Sequence, residues 1–596
     1  MKFAKHRILF FILVLIVAAG CSGKEKPYKP IKLPWVKNVV LVSIDSLRAD
    51  HLGVYGYKRS TSPNIDRFAK QAIRFGRAYS SSNWTLPGHA GMFTGLMSSG
   101  HSGFNHEKAV RPDAPFIVEN LANAGFKTAS FVSHIFVSEK YGFNRGYSTF
   151  DYEQLCPAPK LTGKTIQWLE QLKPDQRFFL FLHYFDVHMP YGREGAPIKQ
   201  FAQPGCTGPY PQPMVLSSAL RQDWEIFKCY RDLYDADIAF TDQELNRIFK
   251  LFDKTNRWKD TLFILTSDHG ELFGEHSGAA HSNSLFEEEI HVPLLMRYPG
   301  GAGGGTVVSE PISTIQLAST ILEATGLKPF KTDMPGLTAF LQGQAPAPAF
   351  VAAESRIIGS DLIAVIQDQY KAVLPPRHVI QGVPLAPALY DYRRIGENQN
   401  LWFARPKKSL ELYQLAAKSG WYGRGVSYEI IYSPAEDSSA SIPVEMTLQS
   451  ERQPVYIKAI SKKYVFKDTK IVVVKDSAIR LDNNKYTFEI PARKDAGLVF
   501  MIDPPETKVT IYFPQLSLTS GVKLFVGEIG KASTDNPVIL SGPISDFTKE
   551  TDQSKGPYLL IRSYDALHLD RPTVAPQKNI ELTPEQRQIL RTLGYI

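Results

Sequence analysis

Cysteine is scarce in this chain: 4 among 596 residues, and one of them, Cys21, sits at the end of an apolar leader. No two have C-x-x-C spacing, which excludes the usual thiolate zinc site. Basic residues never gather into an arginine-rich block, and the formal charge of +9 includes Lys2, Lys5 and Arg7 of the leader. Nucleic acid is therefore not an expected partner. Internal repeats are missing, which removes solenoids and propellers. With 43% hydrophobic and 21% charged residues the composition is that of a folded globular protein. The length implies more than one domain.

The leader "MKFAKHRILFFILVLIVAAGC" joins a basic start to an apolar stretch from Ile8 to Val17, then Ala18, Ala19, Gly20 and Cys21. That stretch is too short for a comfortable membrane span, and small residues before a cleavage point fit a signal peptide. "AAGC" resembles a bacterial lipobox, which implies removal of residues 1–20 and a lipid on Cys21. Residues 21–35 then read as a polar tether. Ser22 fits outer-membrane sorting, so the expected location is the bacterial cell envelope, lipid-anchored in the outer membrane and facing periplasm or surface. Cys156, Cys206 and Cys229 remain, an odd number for an oxidising compartment; one disulfide and a free thiol are expected, with the pairing open.

"KNVVLVSID", "RFFLFLHYFDVH" and "DTLFILTSDHG" are apolar runs ending in Asp or Asp-His, as expected of buried parallel strands. "SPNIDRFAKQAIRF" reads as a helix capped by Ser62, with Pro63 in its first turn and Ile65, Phe68, Ala69, Ala72 and Ile73 at helical spacing. "YDADIAFTDQELNRIFKLF" is a second amphipathic helix. Alternating strands and helices predict an α/β fold, a mainly parallel mixed sheet between helices. After about Pro406 the pattern changes to short strands ("VEMTLQ", "PVYIKAI", "KIVVV", "YTFEIPA", "GLVFMI", "KVTIYFP", "KLFVGEI"), expected to form a β-rich, sandwich-like module over 406–565. Residues 566–596 form a tail closed by the helix-like "LTPEQRQILRTLGYI".

Asp45, Asp186 with His188, and Asp268 with His269 all end predicted strands, and open α/β sheets gather ligands at that edge. Asp45, Asp268, His269 and the hydroxyl of Thr85 would make a site for one divalent cation; oxygen ligands with one imidazole suit Ca²⁺, Mg²⁺, Mn²⁺ or Zn²⁺. Thr85 precedes a helix-like "GHAGMF", and a helix N-terminus favours an anion. As nucleophile Thr85 requires activation, which a cation supplies by lowering the pKa of a bound hydroxyl. His89, His188 and His281 are candidates for neutralising ester oxygens or protonating a leaving group.

"NVVLVSIDSLRADHLGVYGY", "TSPNIDRFA", "NWTLPGHAGMFTG", "FLHYFDVHMPY" and "TSDHGELFGEH" followed by "LFEEEIHVPLLMRYPG" together resemble the sulfatase family of the alkaline phosphatase superfamily. The resemblance runs from about Asn38 to Phe403, within an expected catalytic domain of residues 36–405. It implies Asp45, Asp268 and His269 as metal ligands, Ca²⁺ as the cation, Thr85 at the nucleophile position, and His188 and His281 against the ester. His89 stands where the family's C/S-x-P-x-R sequence has its arginine, Ser46 replaces a further ligand, and "SFVSHIF" offers only His134 where many sulfatases carry a Lys-x-His segment.

Thr85 cannot become formylglycine by the usual route, so no formylglycine is expected. A sulfated threonine would be a stable ester, whereas a phosphothreonine is open to attack at phosphorus. The expected activity is thus a sulfatase-like, metal-dependent hydrolysis of sulfate or phosphate esters, on a small molecule, glycan or lipid. One alternative is a phosphoethanolamine or phosphoglycerol transferase acting on an envelope glycan or lipid, although the multi-span membrane domain of many such enzymes is missing. The other is an inactive glycan-binding relative.

Overall fold

The computed structural model describes residues 29–592 apart from internal stretches, of which the longest are 207–223, 375–387, 464–479, 542–557 and 567–579. The leader, Cys21 and most of the tether lie outside the described residues, as does "KIVVV". Among the described residues no helix is long and apolar enough to cross a membrane.

A mixed sheet organises the first half of the chain. Its strands are β1 (Asn38–Ile44), β2 (Ile73–Tyr79), β3 (Lys127–Val132), β4 (Thr149–Tyr152), β5 (Phe178–Tyr184), β6 (Thr261–Thr266), β7 (His291–Arg297), β8 (Val307–Val308) and β9 (Ile312–Ser313). They lie in the order β8-β2-β7-β6-β1-β5-β3-β4, with β9 also on β2, and only β7 runs against its neighbours. The central strands are apolar throughout because both faces are covered. Side chains alternate across the sheet: Val39 and Leu41 enter one core with Phe179, Phe181, Leu262 and Ile264, while Val40, Val42 and Ile44 enter the other with Leu180, Leu182, Phe263 and Leu265.

Helices that flank this sheet include α1 (Pro63–Ala69), α2 (Thr85–Thr94), α3 (Ala158–Glu170), α4 (Trp224–Lys254) and α5 (Gln316–Ala324). Leu86, Ala90, Met92 and Phe93 of α2 pack with Leu317, Ala318 and Ile321 of α5 on the first face. Ile65 and Phe68 of α1, Leu161 and Trp168 of α3, and Leu233, Ile238 and Leu245 of α4 cover the second. The helical periodicity after Ser62 does not persist to Ile73. The helix stops at Ala69, and Ile73 opens β2, where its side chain serves the opposite core.

Beyond residue 350 the sheets are smaller: one antiparallel sheet of four strands over residues 351–391, and two five-stranded sheets formed by strands between 425 and 566. The latter two are antiparallel except for one parallel pair, Lys523–Val526 with Tyr558–Ala566. The expected terminal helix spans Pro584–Thr592, and Leu590 joins the core beside α2. Cys206 and Cys229 form the disulfide, and Cys156 is free and buried.

Candidate active site

Strands β1, β5 and β6 are parallel neighbours, so their C-terminal ends deliver Asp45, Asp186–His188 and Asp268–His269 to one edge. The end of β2 reaches the same edge and continues through Trp84, in extended backbone, into α2, which begins at Thr85. The helix is held close to β6. A Cβ on Gly88 would come within 2.5 Å of the Asp268 carbonyl oxygen, so only glycine permits this approach.

Oxygen atoms of Asp45 and Asp268 and a nitrogen of His269 all lie within 4.8 Å of one another, and all three side chains are fully buried. The ring of His269 is 3.5 Å from Asp45 Oδ1 and 3.4 Å from Asp268 Oδ2, both measured from Nε2. Burial lowers the His269 pKa to about 3, so the ring is neutral. Its Nδ1–H donates to the Gly270 carbonyl at 2.8 Å, which leaves Nε2 as a bare lone pair facing two carboxylates. Asp268 Oδ2 is buried without a hydrogen-bond donor, and burial followed by the nearby Asp45 charge pushes the Asp268 carboxyl well above the usual range. Two carboxyl groups and an imidazole lone pair converging on one point are the donor set of a divalent cation, which would displace the proton that burial holds on Asp268, and the chemistry of the residues fits one.

Thr85 Oγ1 lies 3.4 Å from the same Nε2 of His269. His281 packs against His269 with ring centroids 4.3 Å apart, and His188 against His281 at 5.0 Å. The pKa of His281 falls to about 4 and that of His188 falls well below its ordinary value, in both cases through burial first. His188 donates from Nδ1 to the Met189 carbonyl at 2.7 Å, and His281 Nδ1 sits 3.0 Å from Glu271 Oε1. Thus Thr85, His188, His269 and His281 share one buried crevice with the two aspartates.

His89 lies in the same cluster, its Nδ1 3.4 Å from Asp268 Oδ2. Its Nδ1–H donates to the Thr85 carbonyl at 2.8 Å, and its Nε2 accepts from Ser43 Oγ at 3.0 Å. Both ring nitrogens are engaged one turn into α2, where His89 braces Thr85. Asp186 turns away, accepting from the Ala158 N–H at the start of α3. Arg48 pairs with Asp50 and Glu275. His276 pairs with Glu288.

Two residues escaped the sequence reading. His183, inside β5, donates from Nε2 to Asp45 Oδ2 at 3.1 Å, which fixes that carboxylate while Oδ1 faces His269. Glu271 orients His281. The only signal for either was proximity to a strand end.

Residues 37–327 match the family model described as Sulfatase. This region is a sulfatase domain. Among curated relatives of the sulfatase chain, an ulvan-active sulfatase of Formosa agariphila is 22% identical over 350 residues, covering 53% of this chain and 67% of the relative. An N-acetylglucosamine-6-O-sulfatase of Bacteroides thetaiotaomicron is 21% identical, covering 57% and 76%. The sulfatase fold also matches the crystal structure of a phosphonate monoester hydrolase of Agrobacterium radiobacter, with a TM-score of 0.54 and 20% identity over 64% of this chain and 95% of that one. The matched region contains every candidate site residue from Asp45 to His281.

Proposed function

We propose that the chain is a metal-dependent hydrolase of sulfate or phosphate esters with Thr85 as nucleophile, and that phosphoryl transfer is the chemistry Thr85 can complete. One observation carries this reading: Thr85 Oγ1 heads a ten-residue helix and faces the same His269 nitrogen that faces Asp45 and Asp268. A divalent cation bound by Asp45, Asp268 and His269 would lower the pKa of a neighbouring hydroxyl and neutralise ester oxygens.

Thr85 Oγ attacks phosphorus, the ester oxygen leaves and takes up a proton as the free alcohol, and water then releases phosphate from phosphothreonine. The first N–H groups of α2 point at the developing negative charge. His188 and His281 stand beside this position as neutral rings oriented through Nδ1 by the Met189 carbonyl and Glu271. In a water-poor crevice such oriented groups act more strongly than they would in solvent. Relatives named for ulvan and for N-acetylglucosamine 6-O-sulfate support an anionic glycan as substrate. The Cys206–Cys229 disulfide supports an oxidising compartment, consistent with lipid anchoring through Cys21 on the periplasmic or outer face of the cell envelope.

The test is a panel of matched sulfate monoesters, phosphate monoesters and phosphodiesters, assayed with wild type and Thr85→Ala. Turnover of phosphate esters that Thr85→Ala abolishes supports the reading. Cleavage of sulfate esters alone overturns the phosphoryl preference, and full turnover by folded Thr85→Ala overturns the nucleophile. Intact mass after rapid acid quench reads the covalent adduct on Thr85.

A further inference from the structure

The edge of the sheet opposite the active site carries a second concentration of chemistry. Lys37 precedes β1, Arg177 precedes β5 and Lys127 opens β3, so the three lie side by side along the N-terminal strand ends. Hydrogen bonds fix the row: the Lys127 N–H donates to the Arg177 carbonyl at 2.8 Å, and Arg177 Nε donates to the Lys37 carbonyl at 3.4 Å. Arg177 lies between two rings, 4.1 Å from the Phe126 centroid and 5.2 Å from that of Trp35. Trp35 is 60% exposed, the most exposed large apolar residue among those described. Lys173 and Lys328 are exposed at neighbouring turns: Lys37 Nζ donates to the Pro174 carbonyl, and Gly326 lies beneath the Trp35 indole nitrogen.

The countercharge is thin. Asp260 is 4.0 Å from Lys37 and is also engaged by Asn38, and Asp175 is the exposed carboxylate of the adjoining turn. Among the described residues no carboxylate pairs with Arg177, Lys127 or Lys173, and Arg177 spends its Nη2 donor on the Thr325 carbonyl. An exposed indole amid unpaired cations is the composition of a surface at a lipid–water interface, where the ring sits among head groups and the cations meet phosphates.

The chain supplies the geometry. The described structure begins at Lys29 on this same face, with Ile31 hydrogen-bonded to Leu341 and a Cβ on Gly343 meeting Pro30. From Lys29 back to Cys21 is 8 residues, which span at most about 28 Å even when fully extended. A lipid on Cys21 therefore keeps this edge close to the membrane.

We propose that the face around Trp35, Lys37, Lys127, Lys173 and Arg177 docks on the anionic lipid surface in which Cys21 is anchored. Docked this way, the β1, β5 and β6 C-terminal ends point away from the bilayer, and the crevice of Thr85 opens toward soluble or extended substrates. The proposal rests on the lipid-anchor reading for its orienting role but not for its surface chemistry.

The two are separated by using the full mature chain with Cys21→Ser, which cannot be acylated. Cosedimentation with phosphatidylcholine vesicles, with and without about one-third phosphatidylglycerol, measures the surface alone. Wild-type surface residues should favour the anionic vesicles by about tenfold or more, and the triple variant Trp35→Ser/Lys127→Glu/Lys173→Glu should lose about tenfold of that partitioning. Its melting temperature and its turnover of a soluble ester should stay unchanged, since the substituted side chains are exposed and lie at the far edge of the sheet. Equal binding to both vesicle types overturns the proposal, as does a triple variant that binds like the parent. Binding to dextran sulfate but to neither vesicle assigns the face to an anionic glycan and likewise overturns it. An unacylated Cys21 in cells, read by mass spectrometry of the N-terminal peptide, overturns the orienting role whatever the vesicles show.

Discussion

Thr85 Oγ1 and His269 Nε2 stand 3.4 Å apart, within hydrogen-bonding reach of each other. Because His269 gives its only proton to the Gly270 carbonyl, Nε2 is an acceptor lone pair to which the Thr85 hydroxyl can donate. A nucleophile placed this way should tolerate loss of its methyl but not of its oxygen. Thr85→Ser is expected to keep kcat within about tenfold, and Thr85→Ala to lose at least about a thousandfold with an unchanged melting temperature. Steady-state kinetics on the best substrate of the ester panel checks both.

Asp45 and Asp268 set the second expectation. Burial and the Asp45 charge raise the Asp268 pKa, so a cation that binds the pair takes the place of a proton and should stabilise the folded chain markedly. Chelation should lower the melting temperature by several degrees, and readdition of Ca²⁺, Mg²⁺, Mn²⁺ or Zn²⁺ should restore it for the ion that binds. At about one hundred times its dissociation constant, the ion contributes about 2.7 kcal/mol. Asp268→Asn should abolish the cation-dependent shift and reduce metal content, read by elemental analysis, below one equivalent. A folded Asp268→Asn chain that keeps a stoichiometric ion would remove Asp268 from the ligand set.

How far these groups were legible in the sequence depends on where each stands. Asp45, Asp268 and His269 interrupt apolar runs at strand ends, where a polar residue has no packing reason to be, and the sheet then brings them together. His183 lies inside "FFLFLHYF", a strand buried on both faces, where periodicity marks neither side and a polar residue looks like an exception. The place of His89 follows from helix geometry. Its spacing from Thr85 is one helical turn, which places its ring against the Thr85 carbonyl rather than beyond the hydroxyl. The break between α1 and β2 was invisible because Ala72 and Ile73 satisfy helical spacing from Ile65 and Phe68, and no glycine or proline stands between them. The disulfide was unreadable because three cysteines allow three pairings, and only the fold brings Cys206 and Cys229 to a Cα–Cα distance of 5.7 Å.

Loss of that bridge gives a third prediction. The cross-link spans a sequence separation of 23, and freeing a loop of that size costs about 3 kcal/mol in the chain-entropy account. Cys206→Ala/Cys229→Ala should shift the urea midpoint downward correspondingly. Cys156→Ala removes no cross-link and should act only through the small cavity left by its buried thiol. Equal midpoints for the parent and the double variant would mean that the bridge constrains nothing in the unfolded chain.

Glu289 carries the pH dependence. It is fully buried, and burial pushes its carboxyl up to about 8, against donors from Asn83 Nδ2 at 2.9 Å and Ser284 Oγ at 2.8 Å. In the unfolded chain the same carboxyl releases its proton near 4.5. Between these values the folded state holds one proton that the unfolded state does not, so stability must fall as pH rises from about 4.5 to about 8, by at most about 1.4 kcal/mol per pH unit from this group. Glu289→Gln keeps the shape, still accepts from Ser284 Oγ through its amide oxygen, and cannot ionise. The substitution should therefore flatten the decline in the urea midpoint between pH 5 and pH 8 and leave the variant more stable than the parent at the upper end. Parallel stability curves for the two chains across that window would show that Glu289 is ionised in the folded protein, with its charge held by Asn83 and Ser284.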